Sequence, residues 1–496
     1  MKKLICFTLF CTLTSYEAKA QNTYEEFKKK MNSEYSSFKN SKDKEFEEFR
    51  RKINEEYASL LKKAWQEFSA FKGIPVPEED KPVPPVVYPE EDKGKPIKDN
   101  PKPFEEVIPI VEPEPQPEPV TPIKETPKPP VETYYAFKFF NTSLKVRLEN
   151  KHRFQLQGCD ENHISRAWNA LSGSAYNNVI NDCLAIRLQN KLCDWAYLQM
   201  LCALSDAFFK GHCNESVLFT AFLYCQSGYK MKLASANNRL FLLYASNHTI
   251  YDKNYWEVEG EKFYPLDCQL NQLHICQAAF PKERPLSLQI SSEQLFALQS
   301  SAQRTLQSKQ YQDVRAVVNT NENLIQFFNS YPTSCINNDF GTRWAMYANT
   351  PLSKQAQRTL YPALKQAISG KSQYEAVSRL LNFVQTAFVY EYDDKVWGCD
   401  RAFFADETLY YPYCDCEDRS ILFSRLVRDL LGLKVVLIYY PGHLATAVCF
   451  TENVNGDYIS MNGKRYTICD PTYIGAPIGA TMPKMDNQKA KVILLE

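Results

Sequence analysis

The chain has 496 residues, with 58 Lys and Arg against 58 Asp and Glu, 44% apolar residues, 29 prolines and 16 cysteines. An apolar fraction of that size over such a length buries a sizeable core, which excludes global disorder. A balanced charge with no basic block leaves no electrostatic footprint for nucleic acid, and past the first twenty residues no apolar run reaches the roughly 18 residues of a bilayer-crossing helix.

Lys2 and Lys3 precede an apolar stretch from Leu4 to about Leu13, and Ala18 and Ala20 stand at the small-residue positions before Gln21. This is the layout of a signal peptide over residues 1–20, cleaved near Ala20. The mature chain is expected to be exported to a periplasm, a cell surface or the extracellular space, with no membrane span of its own. Phe10 ahead of Cys11 does not fit a lipid-attachment site. Fourteen cysteines remain after cleavage, in a compartment that permits disulfides, and their spacing does not tell which of them pair.

From Tyr24 to Phe68 apolar residues repeat every eleven: Tyr24, Tyr35, Phe46, Tyr57 and Phe68 form one row, and Phe27, Phe38, Phe49 and Leu60 the next. Eleven residues in three turns is close to the straight-helix value, so residues 21–72 are predicted as one amphipathic helix. Its other faces carry Lys and Glu, so the stripe needs a partner: a second copy through residues 24–68, the globular body, or an envelope surface. Residues 73–133 hold 18 of the 29 prolines, between Pro75 and Pro130. They are predicted as a disordered, polyproline-like spacer that separates helix from body.

The rest of the chain carries one unit twice, over residues 134–285 and 286–496. Lys191, Ala196, Leu201, Ala207 and Phe208 fall on Lys371, Ala376, Leu381, Ala387 and Phe388 at a constant offset of 180. Leu218, Phe219 and Gly228 fall on Leu422, Phe423 and Gly432 at an offset of 204, so the later copy has 24 extra residues between its two helices. Strand-like alternation over Ala136 to Leu148 and Val314 to Phe328 places a small β element ahead of each copy.

In the later copy Asp415 can N-cap a helix, with Asp418 completing a capping-box-like pair and Gly432 ending it. Val435 to Tyr440 reads as a strand, Pro441 and Gly442 as a turn, and Leu444 to Phe450 as the returning strand. Tyr466 to Cys469 is another strand, stopped by Asp470 and Pro471. Cys416 at a helix start, His443 at a strand start and Asp470 at a strand end therefore converge. A helix N-terminus favours thiolate over thiol, an imidazole can take the thiol proton and return one to a leaving amine, and a carboxylate can fix the imidazole tautomer. Cys416, His443 and Asp470 suit those three roles. The oxyanion would be held by the Cys416 amide and one upstream donor, for which Tyr410, Tyr411, Tyr413 and Trp397 are candidates.

The run DCEDRSILFSRLVRDLLGLKVVLIYYPGHLATAV followed by YTICDPTYIGAPIG resembles the transglutaminase-like superfamily: Cys416-x-Asp418 before a helix, His443 opening a strand, Asp470 at a strand end. The resemblance covers roughly residues 340–484. It implies an α+β fold of two transglutaminase-like, papain-like domains in tandem, the second catalytic, and acyl transfer through a thioester to an amine or to water. It also implies that Asp418 is structural, anchoring the helix start. No cofactor and no metal are called for; the substrate would be a protein, peptide or cell-wall amide.

Alternatives stand beside this. Cys416 with Cys414, Cys399 and His443 has the residue types of a zinc site, although one Cys-x-Cys pair is weak support for one. Glu407, in the 24-residue insert, reads as a solvated loop carboxylate before it reads as a substrate contact. The earlier copy places His212 opposite Cys416, with Cys213 one residue further, His248 in place of His443 and Asp267 in place of Asp470. It reads as a degenerate and inactive domain, with Cys213 the residue that would restore a thiol. A non-catalytic scaffold of two inert domains on an oligomerising stalk is the competing class.

Overall fold

The computed structural model describes residues 39, 41–42, 44–77, 80–113, 115–119 and 133–496. The expected signal peptide and the apolar rows from Tyr24 to Phe38 lie outside the described residues. The molecule is α+β, with helices packed on several curled, mostly antiparallel sheets. No helix among the described residues is long and apolar enough to cross a membrane.

The amino-terminal half departs from expectation. The first helix, α1 (44–61), ends well before Phe68, and β1 (Trp65–Ser69) follows it, paired antiparallel with Gln272–Cys276. Part of the stripe meets the body: Tyr57, Ala58 and Leu61 are buried, Tyr57 against Trp168 and Phe280, and Arg50 donates to the Ser172 carbonyl at 2.9 Å. Phe49 and Leu60, of the second row, stay exposed.

The proline segment is also not a free spacer where it is described. It lies along the body as a belt, with β2 (Asn100–Pro101) and β3 (Glu106–Ile108) adding parallel strands to a sheet of the C-terminal lobe. Asp99 holds Arg465 at 2.6 Å, and Ile108 is buried. Prolines suit this position because an edge segment needs few donors.

The N-terminal lobe opens with the hairpin β4 (Tyr134–Phe139) and β5 (Thr142–Arg147). Helices α2 (Asp194–Phe209) and α3 (Asn214–Gln226) then pack on β6 (Met231–Ala236), β7 (Arg239–Ala245), β8 (Trp256–Val258), β9 (Glu261–Pro265) and β10 (Gln272–Cys276). The C-terminal lobe opens with β11 (Arg304–Gln307) and β12 (Arg315–Val318). The strand-like run expected as far as Phe328 stops there, because Asn321 caps a helix over Glu322–Asn329.

Helices α4 (Gln373–Ala387) and α5 (Cys416–Leu431) follow, on β13 (Lys434–Tyr440), β14 (His443–Cys449), β15 (Asp457–Met461), β16 (Lys464–Cys469) and β17 (Lys491–Leu494). Strand order is β8-β9-β7-β6-β10-β1 in one lobe and β2-β15-β16-β14-β13-β17-β3 in the other, so five strands follow the same order in both sheets, while the strand added beyond them is antiparallel in the first (β1) and parallel in the second (β3). In each, a segment from the amino-terminal half covers the far edge, which removes an open ladder. One apolar cluster runs through both lobes, and His248–Ile250 pairs with Ser334–Ile336 across them.

Candidate active site

The start of α5 is fixed by charge and hydrogen bonds. Asp415 caps it, accepting from the Glu417 amide at 3.1 Å and the Asp418 amide at 3.4 Å, while its own amide donates to Asp418 Oδ2 at 3.1 Å. Asp418 Oδ1 also accepts from the Phe403 amide at 2.8 Å, so Asp418 ties the insert to the helix start. Further along the helix, Arg419 donates to the carbonyls of Gln385 at 3.2 Å and Phe388 at 3.0 Å, and the Ser420 hydroxyl to the Leu444 carbonyl at 2.8 Å. These bonds lock α5 to α4 and to β14, which presents Cys416 beside the first residue of β14.

That residue is His443. Its Nε2 lies 2.8 Å from Asp470 Oδ2, and both side chains are buried. Asp470 Oδ1 accepts from the amides of Thr472 at 2.8 Å and Tyr473 at 3.2 Å. Gln385 on α4 holds the turn from behind, with Nε2 donating to the carbonyls of Asp470, Tyr473 and Ala476 at 3.0, 2.8 and 3.2 Å. Tyr440 stacks over the imidazole with ring centroids 6.3 Å apart. The second ring nitrogen, Nδ1, is buried and has no hydrogen-bond partner among the described residues. Cys416 and His443 line one small cavity, together with Trp344, Asp400, Asp415, Glu417, Tyr439 and Leu444.

Charge in this cavity opposes a resting thiolate. The Cys416 thiol is pushed well above its ordinary value by burial, then by Asp415 and Glu417, and the Leu444 amide acts against them. Burial thus acts against the thiolate that the helix start was expected to favour. The same burial lifts neighbouring carboxyls: Asp415 to about 6, with Asp400 adding to it, and Asp393 to about 8, with Asp415 adding to it. Cys416 is a free thiol, as are the other thirteen cysteines from Cys159 onward.

Other expected contributors fall elsewhere. None of Tyr410, Tyr411, Tyr413 and Trp397 lines the cavity; Tyr411 donates to Asn329 at 2.8 Å, and Tyr413 is exposed. Tyr390, not singled out from sequence, does not line the cavity either, but its buried hydroxyl has no hydrogen-bond partner among the described residues. Its pKa is raised by burial first and then by Cys416 and Asp415. Tyr390 pairs with Cys414 in a two-residue parallel ladder, a long-range pairing that local pattern does not reveal.

Glu407 is not a solvated loop carboxylate. It is buried, accepts from Arg401 at 2.6 Å and from the Phe404 amide at 3.1 Å, and titrates near 7 because of that burial. Among the described residues, Cys399, Cys414, Cys416 and His443 form no metal-ligating cluster. Asp393, Asp400 and Glu417 come within 4.8 Å of one another, but the Arg343 guanidinium sits on that group, 2.5 Å from Asp400 and 3.4 Å from Glu417.

In the N-terminal lobe the equivalent positions are occupied by other residues. Cys213 is the N-cap of α3, so the place of Cys416 falls to Asn214, not to His212. Asn214 Oδ1 accepts from the Leu240 amide at 2.9 Å, as the Cys416 sulfur accepts from the Leu444 amide. His443 pairs with Tyr440 across the β13–β14 turn, and Arg239 pairs with Ala236 across the β6–β7 turn, so Arg239 stands where His443 does. His248 does not: it belongs to the strand crossing between lobes, accepts from the Leu288 amide at 3.2 Å, and is depressed to about 3 by burial. Asp267 follows β9 as Asp470 follows β16, and is held 3.0 Å from His212.

No family model, no curated protein and no solved structure matches the chain. The functional reading therefore rests on the residues and their geometry.

Proposed function

We propose that the C-terminal lobe carries out thiol-dependent acyl transfer or hydrolysis of an amide, and that the two lobes are transglutaminase-like, papain-like domains in tandem, the first of them inert. Cys416 attacks the amide carbonyl as His443 Nδ1 takes the thiol proton. The tetrahedral intermediate collapses to a thioester, and the leaving amine takes that proton from His443. Water or an acceptor amine, deprotonated by the same nitrogen, then releases the acyl group and the thiol. Asp470 holds the imidazole through Nε2 and stabilises its charged form. The Cys416 amide and the Tyr390 phenol, whose hydroxyl is otherwise unpartnered among the described residues, are the proposed donors to the oxyanion.

One observation carries this reading: an imidazole clamped on one nitrogen by a buried carboxylate, with its other nitrogen unpartnered in the cavity that holds a helix-start thiol. The signal-peptide layout of residues 1–20 supports export, and with it protein, peptide or cell-wall amides as substrates. No cofactor enters the scheme. The scaffold reading draws support from the N-terminal lobe, where Asn214 and Arg239 replace thiol and imidazole.

The test is capture of the acyl-enzyme from envelope extracts by intact mass. The full chain is expected to gain an acyl adduct at Cys416 that is released by hydroxylamine, and the Cys416→Ala and His443→Ala variants to gain none. An adduct that forms equally fast in His443→Ala would overturn the scheme.

A further inference from the structure

We infer that the cleft at Cys416 is a groove for an extended, proline-rich peptide, filled in this state by residues 80–88 of the chain itself as a displaceable plug. The inference rests on the reading of Cys416 as a nucleophile, since it assigns the occupant to the place an acyl donor must enter.

Asp80 and Pro82 form one wall of the cavity that contains Cys416 and His443. The Lys81 carbonyl lies directly over Gly442, where an added β-carbon would stand 2.5 Å from it, and Gly442 has a φ of +74°. Glycine there permits both the turn and the close approach of a second backbone. The Val83 amide donates to the Gly442 carbonyl at 2.8 Å. Further along, the Ile474 amide donates to the Val86 carbonyl at 2.8 Å, and the Tyr88 amide to the Ile474 carbonyl at 2.9 Å. Gly442 immediately precedes His443, and Ile474 lies four residues past Asp470. The segment is thus tied down on both sides of the His443–Asp470 pair.

The contacts are those of a bound peptide. Main-chain bonds to a receptor backbone give affinity without demanding a sequence, and alternate side chains give preference. Val83, Val86 and Tyr88 pack on Tyr473, Ala476 and Met482, with the Tyr88 and Tyr473 rings 5.3 Å apart. Pro84 and Pro85 fall between these anchors, and Pro82 and Pro89 flank them. They lack amide donors and are already extended, so the segment docks with little loss of conformational freedom.

One end is ill matched to the cleft. Asp80 brings a carboxylate to a wall already shared by Asp400, Asp415 and Glu417. Arg343 offsets Asp400 and Glu417, and the wall keeps an excess of carboxylates, so the plug is held at Val83–Tyr88 and poorly matched at Asp80. A peptide with a basic residue at that position gains what Asp80 loses, and this is the class of ligand that displaces the plug.

Accessibility of Cys416 reads this directly. The full chain is treated with chloroacetamide at pH 10, where an accessible thiol ionises without a base, and labelling of the Cys416 peptide is followed by mass spectrometry. Val83→Pro, which removes the donor to Gly442, and Tyr88→Ser are each expected to speed labelling about tenfold, the usual effect of losing one such contact. Asp80→Lys is expected to slow it. Cys469, fully buried, must stay unlabelled in each variant, which separates release of the plug from unfolding. Equal rates in all four proteins, or rapid labelling of the unaltered chain, overturns the plug. The same series in a His443→Ala background keeps the two readings apart: the accelerations persist there if the plug is real even when Cys416 is not a nucleophile. A His443-dependent rate near neutral pH, indifferent to Val83 and Tyr88, would leave the enzyme standing and remove the plug.

Discussion

His443 Nε2 and Asp470 Oδ2 lie 2.8 Å apart at the ends of two paired strands, with both side chains sealed from solvent. In the proposed scheme the carboxylate decides which ring nitrogen is free to act. Asp470→Asn keeps the size and one acceptor of the side chain but supports the wrong tautomer and loses the charge that stabilises the imidazolium. Acylation of Cys416 measured in a single turnover is expected to fall by roughly 10³–10⁴-fold with substrate affinity little changed. A fall of less than tenfold would show that Asp470 does not orient the ring.

Gln385 supports the same pair from α4. Gln385→Leu removes a donor from three buried carbonyls, of which that of Tyr473 keeps the Ala476 amide, and an acceptor from the Gly475 amide, which is expected to cost about 3 kcal/mol in urea unfolding. Because Gln385 acts on the reaction through Asp470, the double variant with Asp470→Asn should acylate no more slowly than Asp470→Asn alone. Independent, multiplying losses would place Gln385 outside this linkage.

Much of the site is visible in sequence because it is made of local signals. The Asp415–Asp418 capping box, the helix end at Gly432, the turn at Pro441–Gly442 and the strand before Asp470 each follow from short-range geometry, and the structure forms each of them. What local pattern missed depends on distant partners. An eleven-residue stripe fixes which side chains share a face and is silent on a sheet edge waiting at Gln272–Cys276, which draws Trp65–Ser69 out of the helix. Proline content implies an extended chain but not that Val83, Asp99 and Ile108 find docking points on the body. His248 matches His443 by residue type, whereas strand register assigns that place to Arg239. Tyr390 and Gln385 sit on segments remote in sequence from all three blocks of the motif.

Tyr390 tests the oxyanion assignment. Its hydroxyl is buried without a partner among the described residues, so Tyr390→Phe removes an unsatisfied group and is expected to leave the unfolding midpoint unchanged or raise it. If the phenol meets the oxyanion, single-turnover acylation falls about 10²-fold at unchanged affinity. An unaltered rate would pass that role to another donor.

Burial of Asp406 gives stability a definite pH slope. Its carboxyl is pushed to about 6 by burial, against two hydrogen bonds from Ser353, whereas unfolded it titrates near 3.9. Between those values the folded state retains a proton that the unfolded state has lost. Its contribution is therefore complete below pH 4, falls by about 1.4 kcal/mol per pH unit as pH rises, and is gone above about 6. Asp406→Asn mimics the protonated acid, so urea unfolding should find it close to the unaltered chain at pH 4 and about 3 kcal/mol more stable at pH 7.5. A variant less stable at pH 7.5 would contradict the sign.

The N-terminal lobe offers the reverse experiment, building a site where the residues are missing. Asn214 occupies the helix-start position and makes the bond to Leu240 that Cys416 makes to Leu444. In a Cys416→Ala, Cys159→Ser background, Asn214→Cys alone should alkylate with the pH dependence of an ordinary thiol, because Arg239 beside it cannot accept a proton. Adding Arg239→His supplies a base, but Asp267 is still held by His212 at 3.0 Å and cannot steer it. Only when His212→Ala is added as well does the lobe contain a free carboxylate, an imidazole and a thiol at the three equivalent places. That combination is expected to alkylate at pH 6.5 at least about tenfold faster than Asn214→Cys alone, a gain of about 1.4 kcal/mol. Equal rates would mean that the shared strand order does not carry the spacing the chemistry needs, and that the lobe serves packing alone.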